Sequence, residues 1–112
     1  MKFFEYLENI KTISTKHLTG VKQVFLSNED TESALTQFAY GVLKPGERTE
    51  LHKHDSMVEC FYFISGTGEY HIDDSIIEVK ADTFVHIPYG VNHDLANIGN
   101  EELRFVYFGI AV

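Results

Sequence analysis

His52 and His54 stand one residue apart, and Glu59 follows five residues after the second. All three are metal-ligand types, since imidazoles and a carboxylate suit a divalent transition ion. The histidine pair also makes a demand on local structure. Strand side chains alternate with a period of two, so His52 and His54 share a face if they lie on extended backbone. A helix would turn them apart. Gly46 and Gly66 bracket the group, where the chain can turn into and out of a strand. A fourth candidate, His93, follows the tight turn expected at Pro88-Tyr89-Gly90.

The rest of the chain must supply those strands. From residue 21 onward its texture is β, with candidate strands at 21–27, 35–43, 49–54, 58–65, 68–72, 76–79, 84–88, 93–97 and 103–110. Turn signals separate them, among them Lys44-Pro45-Gly46, Gly66-Thr67-Gly68, Asp73-Asp74 and Gly99-Asn100. Short strands at even spacing without a long helical pattern indicate an all-β sandwich or barrel. A chain of 112 residues closes one such core. Before it, Phe3, Phe4, Leu7 and Ile10 fall at helical spacing. Residues 1–20 are therefore expected to form a short helix or irregular arm packed on a barrel domain of 21–112. His17 falls in a polar stretch that reads as loop.

Alternation also assigns the walls of a site. Phe61 and Phe63 share the face of Glu59, and Tyr107 or Phe105 from the last strand is placed to close a small, largely apolar pocket. Arg48 keeps phase with His52 and His54, so it either reaches the pocket mouth, where it would hold a substrate carboxylate, or stands as a solvated turn arginine. Cys60 points away from Glu59 and reads as a packing thiol. His71 is expected outside, and His86 on the face opposite Val85 and Ile87. The last strand is apolar on both faces, Phe105 and Tyr107 against Val106 and Phe108. Its outer face needs cover from the arm or from a second subunit, and a homodimer is expected.

A net charge of −8 disfavours nucleic acid and anionic membranes as partners, because both select clustered Lys and Arg. The single cysteine permits no internal disulfide and fits a reducing compartment. No apolar run approaches a membrane span, and Glu5 and Glu8 interrupt the start where a secretory signal needs an apolar core. A cytoplasmic location is the expectation. There is no Ser-His-Asp order, phosphate-binding glycine loop or nucleotide motif.

Taken together, these residues resemble the cupin superfamily, in its small single-domain metal-binding form. Gly46, His52, His54, Glu59 and Gly66 meet every fixed position of its first motif. Pro88, Gly90, His93 and Asn97 meet those of its second, where Asp82 replaces the opening glycine. The resemblance implies a jelly-roll or double-stranded β-helix barrel holding one divalent metal (Fe, Mn, Ni, Zn or Cu) on His52, His54, Glu59 and His93. It implies a metal-dependent oxidoreductase, isomerase or lyase acting by inner-sphere coordination on a small oxygen-rich molecule, through dioxygenase, decarboxylase or isomerase chemistry. The alternative it leaves is a non-catalytic cupin that captures a small ligand as sensor or store. An acid or base besides the ligands would separate the two, and Tyr40, Tyr107 and His86 are the candidates.

Overall fold

The computed structural model describes residues 3–15 and 19–112. Nine strands follow one another: β1 (Ile13–Ser14), β2 (Val21–Ser27), β3 (Leu35–Leu43), β4 (Met57–Ser65), β5 (Gly68–Ile72), β6 (Ser75–Val79), β7 (Phe84–Ile87), β8 (His93–Asn97) and β9 (Leu103–Ala111). They form two antiparallel sheets, one in the order β1-β2-β3-β9-β4-β7 and the other β6-β5-β8. This is the double-stranded β-helix architecture. No helix among the described residues is long and apolar enough to cross a membrane.

Alternation sorts the faces as β geometry requires. On β4, Glu59, Phe61 and Phe63 are buried while Tyr62 and Ile64 are exposed. The core between the sheets includes Leu43, Phe61, Phe63, Tyr70, Val79, Val85, Ile87, Leu95, Leu103 and Phe105. Rings fill much of it, and Phe63, Phe105 and Tyr70 meet at tilted or edge-on angles, the arrangements that ring quadrupoles favour. Gly41 stands opposite Phe105 in the β3–β9 ladder, and a Cβ there would lie 2.5 Å from the Phe105 ring. The missing side chain is the space the ring occupies.

One expectation needs correction. The segment 49–54 is not a regular strand. It touches β8 through two isolated bridges, Arg48 with Ala96 and His52 with His93. Four residue steps on one side match three on the other, so the segment carries one extra residue, as at a bulge. Of the two forms open to the N-terminal segment, its described residues take the irregular arm. Its only helical feature among the described residues is a single 3-10 turn, Leu7–Asn9. The Gln23 amide holds it by donating to the Leu7 and Ile10 carbonyls at 2.8 and 3.0 Å. This arm lies along Val24, Phe25, Leu26 and Phe38, leaving Phe3 and Phe4 exposed. Among the described residues, Tyr62, Ile64 and Phe84 on the outer face of β4 and β7 are exposed. His17 lies outside the described residues.

Asp82, which stands where the motif has glycine, has a φ of +67°. The departure in residue type therefore preserves the backbone, because Asp is among the few non-glycine residues that adopt the left-handed region readily. Its N–H donates to the Phe63 carbonyl at 2.8 Å, and its carboxylate accepts the Tyr62 hydroxyl. Both Asp82→Gly and Asp82→Ala lose that side-chain bond, but only alanine strains the backbone. Asp82→Ala is expected to be about 1 kcal/mol less stable than Asp82→Gly in urea denaturation. Equal stability of the two variants would refute the strain argument.

Candidate metal centre

The four candidate donors arrive from three directions. Glu59 comes from the inward row of β4, and His93 is the first residue of β8. His52 is set by its backbone, which exchanges two hydrogen bonds with His93, N–H to carbonyl at 3.1 and 2.8 Å. That pairing puts the two rings 4.3 Å apart. The His54 carbonyl accepts the Gly90 N–H at 2.7 Å, so the Pro88–Gly90 turn of the second motif holds the loop of the first. One donor atom from each of His52, His54, Glu59 and His93 lies within 4.8 Å of all the others.

The hydrogen bonds behind the rings fix what they offer in front. His52 Nδ1 lies 2.6 Å from the Glu50 carbonyl and His93 Nδ1 2.9 Å from the Val91 carbonyl. A carbonyl only accepts, so each Nδ1 carries the hydrogen and each Nε2 keeps a lone pair. Outer partners of this kind orient metal-binding imidazoles. His93 is 1% exposed and Glu59 7%. His93 Nε2 is buried without a hydrogen-bond partner among the described residues, and faces Glu59 Oε1 at 3.6 Å. Two buried electron-pair donors facing each other are unfavourable until a cation or proton lies between them. His54 Nε2 stands 3.2 Å from the same oxygen. The donor set fits a divalent metal on chemistry as well as spacing.

Above this cluster opens a cavity of about 560 Å³. Its wall includes Phe61, Phe105, Leu95, Tyr70 and Tyr107. Tyr107 stacks on Phe61 with centroids 5.1 Å apart. Burial raises the Tyr107 phenol well above its ordinary value, and the Glu59 charge adds to the shift. Tyr70 is raised in the same direction, first by burial and then by Glu59, Tyr107 and Asp94. Both phenols stay protonated through the physiological range, so they offer protons rather than accept them.

The pocket residues expected from alternation divide. Phe61 and Tyr107 line the cavity. Phe63 does not; it is fully buried in the core, against Phe61 and Phe105. Arg48 does not either. The extra residue between the two bridges reverses the phase, because a one-residue slip moves every side chain to the other face. Arg48 instead joins a polar group on the outer face of the small sheet, its Nε 3.5 Å from Asp94 Oδ1 and its Nη2 3.2 Å from His71 Nε2. His71 also contacts Glu69 and Asp94. Thr49 takes the inward place, and its hydroxyl accepts the Leu95 N–H at 2.8 Å. His86 is exposed outside, Tyr40 bonds Arg104, and burial raises the Cys60 thiol.

Tyr70 also lines the cavity, as do Lys22 and Gln37, which escaped the sequence reading. Their signal was a polar residue on an inward row. Lys22 alternates with Val24, and Gln37 with Ala39, Gly41 and Leu43.

Comparison with known proteins agrees with this architecture. The family model described as "Cupin domain" matches residues 39–109. An oxalate-binding protein of Thermotoga maritima is 32% identical over 81 residues, 72% of this chain and 67% of that one. The uncharacterised protein MJ1618 of Methanocaldococcus jannaschii is 34% identical over 99 residues, 88% of this chain and 78% of its own. Among solved structures, one described as a predicted oxalate decarboxylase from Thermotoga maritima matches with a TM-score of 0.87 at 27% identity. It covers 96% of this chain and 97% of its own.

The outward place of Arg48 has a measurable result. Arg48→Met leaves the buried Asp94 carboxylate short of a partner and is expected to cost about 1 kcal/mol, the half-exposed guanidinium being screened by solvent. It should leave metal content unchanged. Denaturant titration with elemental analysis checks both, and a loss of metal would return Arg48 to the site.

Proposed function

The chain belongs to the cupin family, and on that premise we propose that it is a metal-dependent cupin acting on a small oxygen-rich organic molecule. The observation that carries this reading is His93 Nε2, buried, without a hydrogen-bond partner among the described residues, and aimed into a four-donor cluster. His52, His54, Glu59 and His93 would hold one divalent transition ion. Such an ion, when bound, supplies Lewis acidity that polarises an oxygen atom of the ligand. The remaining work falls to the chain. Phe61 and Phe105 exclude water, which strengthens every polar contact inside the cavity. Tyr107 and Tyr70 present hydroxyl donors where negative charge on a ligand oxygen would develop.

We favour an enzyme of dioxygenase, decarboxylase or isomerase type. The second reading, a non-catalytic binding protein, draws support from the same phenols. Of the three acid–base candidates only Tyr107 faces the cavity, and a phenol held protonated cannot serve as a base. The oxalate-binding relative is consistent with either. Metal identification on protein purified without added metal, paired with oxygen-uptake and carbon dioxide-release screens on small carboxylic acids, separates them. Turnover supports the enzyme, whereas saturable binding without turnover supports the binder.

The metal reading predicts about one equivalent of metal per chain. His52→Ala should lower the content at least about tenfold while far-UV circular dichroism keeps its β signature, since even an outer partner's loss costs about 10–100-fold. Unchanged metal content would overturn it.

The same reading takes the protein as a cytoplasmic homodimer. In support, Tyr62, Ile64, Phe84 and Ile110 leave apolar surface exposed on the outer face of β4, β7 and β9. A second copy applied to the same face by two-fold symmetry would cover it. Sedimentation equilibrium is expected to give a dimer, and Phe84→Glu to shift it toward monomer by at least about tenfold in Kd. A monomeric wild-type protein would refute this assembly.

A further inference from the structure

The cavity has a second polar feature, on the β2–β3 wall. Lys22 pairs with Gly41 in the ladder, so it lies on the inward face, where the neighbouring glycine presents no side chain. Its Nζ donates to Gln37 Oε1 at 2.9 Å, and both residues line the cavity with His52, His54 and Glu59 of the donor cluster. The Gln37 oxygen accepts one of the three hydrogens on the ammonium. The amide nitrogen of Gln37 has no hydrogen-bond partner among the described residues. Spare N–H donors from two side chains thus meet at one patch.

The charge balance of the cavity points the same way. Its other lysine, Lys53, has Asp55 at 3.9 Å and a mostly exposed side chain. Lys22 has a neutral partner instead. Burial lowers its ammonium from the ordinary value, while the Glu59 carboxylate pulls in the opposite direction. An inward cation in that setting is completed by an anion, and a carboxylate matches two convergent sets of N–H donors.

We propose that Lys22 and Gln37 anchor a second anionic group of the ligand, so that the site selects small dicarboxylates with one end at the four-donor cluster and the other at Lys22. This rests on the metal reading above and adds a substrate class to it. Lys22 is a specificity-determining residue here, set apart from the donors.

Calorimetric titration tests the anchor. Malonate, succinate and glutarate are compared with propionate, butyrate and valerate, in protein loaded with manganese(II) and in metal-free protein, with manganese binding measured separately. At least one diacid should bind the loaded wild type about tenfold or more tightly than the monoacid of equal chain length, the scale of a charge-assisted hydrogen bond. Lys22→Met should abolish that preference, and Lys22→Arg should retain part of it. A wild type without preference, or a Lys22→Met variant that keeps it, overturns the anchor. If wild type fails to bind manganese(II), the failure counts against the metal reading, and the metal-free titration decides the anchor. Diacid binding that depends on Lys22 supports it there, and its absence overturns it.

Discussion

The reciprocal backbone pair between His52 and His93 is the contact on which the site depends. Two hydrogen bonds, at 3.1 and 2.8 Å, fasten an otherwise irregular segment to the first residue of β8. Because they are main-chain bonds, they hold the two Cα atoms at the close spacing of a strand pair, and the rings follow. Carbonyls of Glu50 and Val91 then fix both tautomers from behind. Main-chain bonds alone would leave each imidazole free to rotate. Here two backbone bonds and two ring bonds decide where the lone pairs point.

This dependence explains what was legible in the sequence. A strand buried on one face announces itself by alternation, so β4 could be read residue by residue, and Glu59 with it; β8 is buried along its whole length, and alternation does not mark His93. The cluster was legible for a different reason: its spacing matches a family pattern down to the turn glycines. The pocket reading of Arg48 fails because a bulge has no signature in residue type. Between Arg48 and His52 the chain gains one residue on β8, and period-two reasoning carried across that step assigns the wrong face. Phe63 was misjudged differently. Its face was right, but alternation says nothing of depth, and two residues along a strand separate the cavity wall from the packed floor.

Lys22 and Gln37 show the converse. They sit in strands that alternation marks, on the face that it assigns, yet a lysine between Val21 and Gln23 reads as a solvated edge. Only closure of the barrel turns that row inward. Long polar side chains also bury their stems and present their heads elsewhere, so residue type alone seldom reveals which side they serve. The outer cluster of Arg48, His71, Asp94 and Glu69 is similar. Each residue looks like ordinary surface until β5 and β8 pair and set them side by side.

The interior of the barrel is divided between packed side chains and open space. Phe63, Leu103 and Val79 are almost completely buried outside the lining of the cavity, while His52, His54 and Glu59 lie along it. The room left for a ligand beside the histidines is therefore set in part by the bulk of three apolar side chains that do not line the cavity.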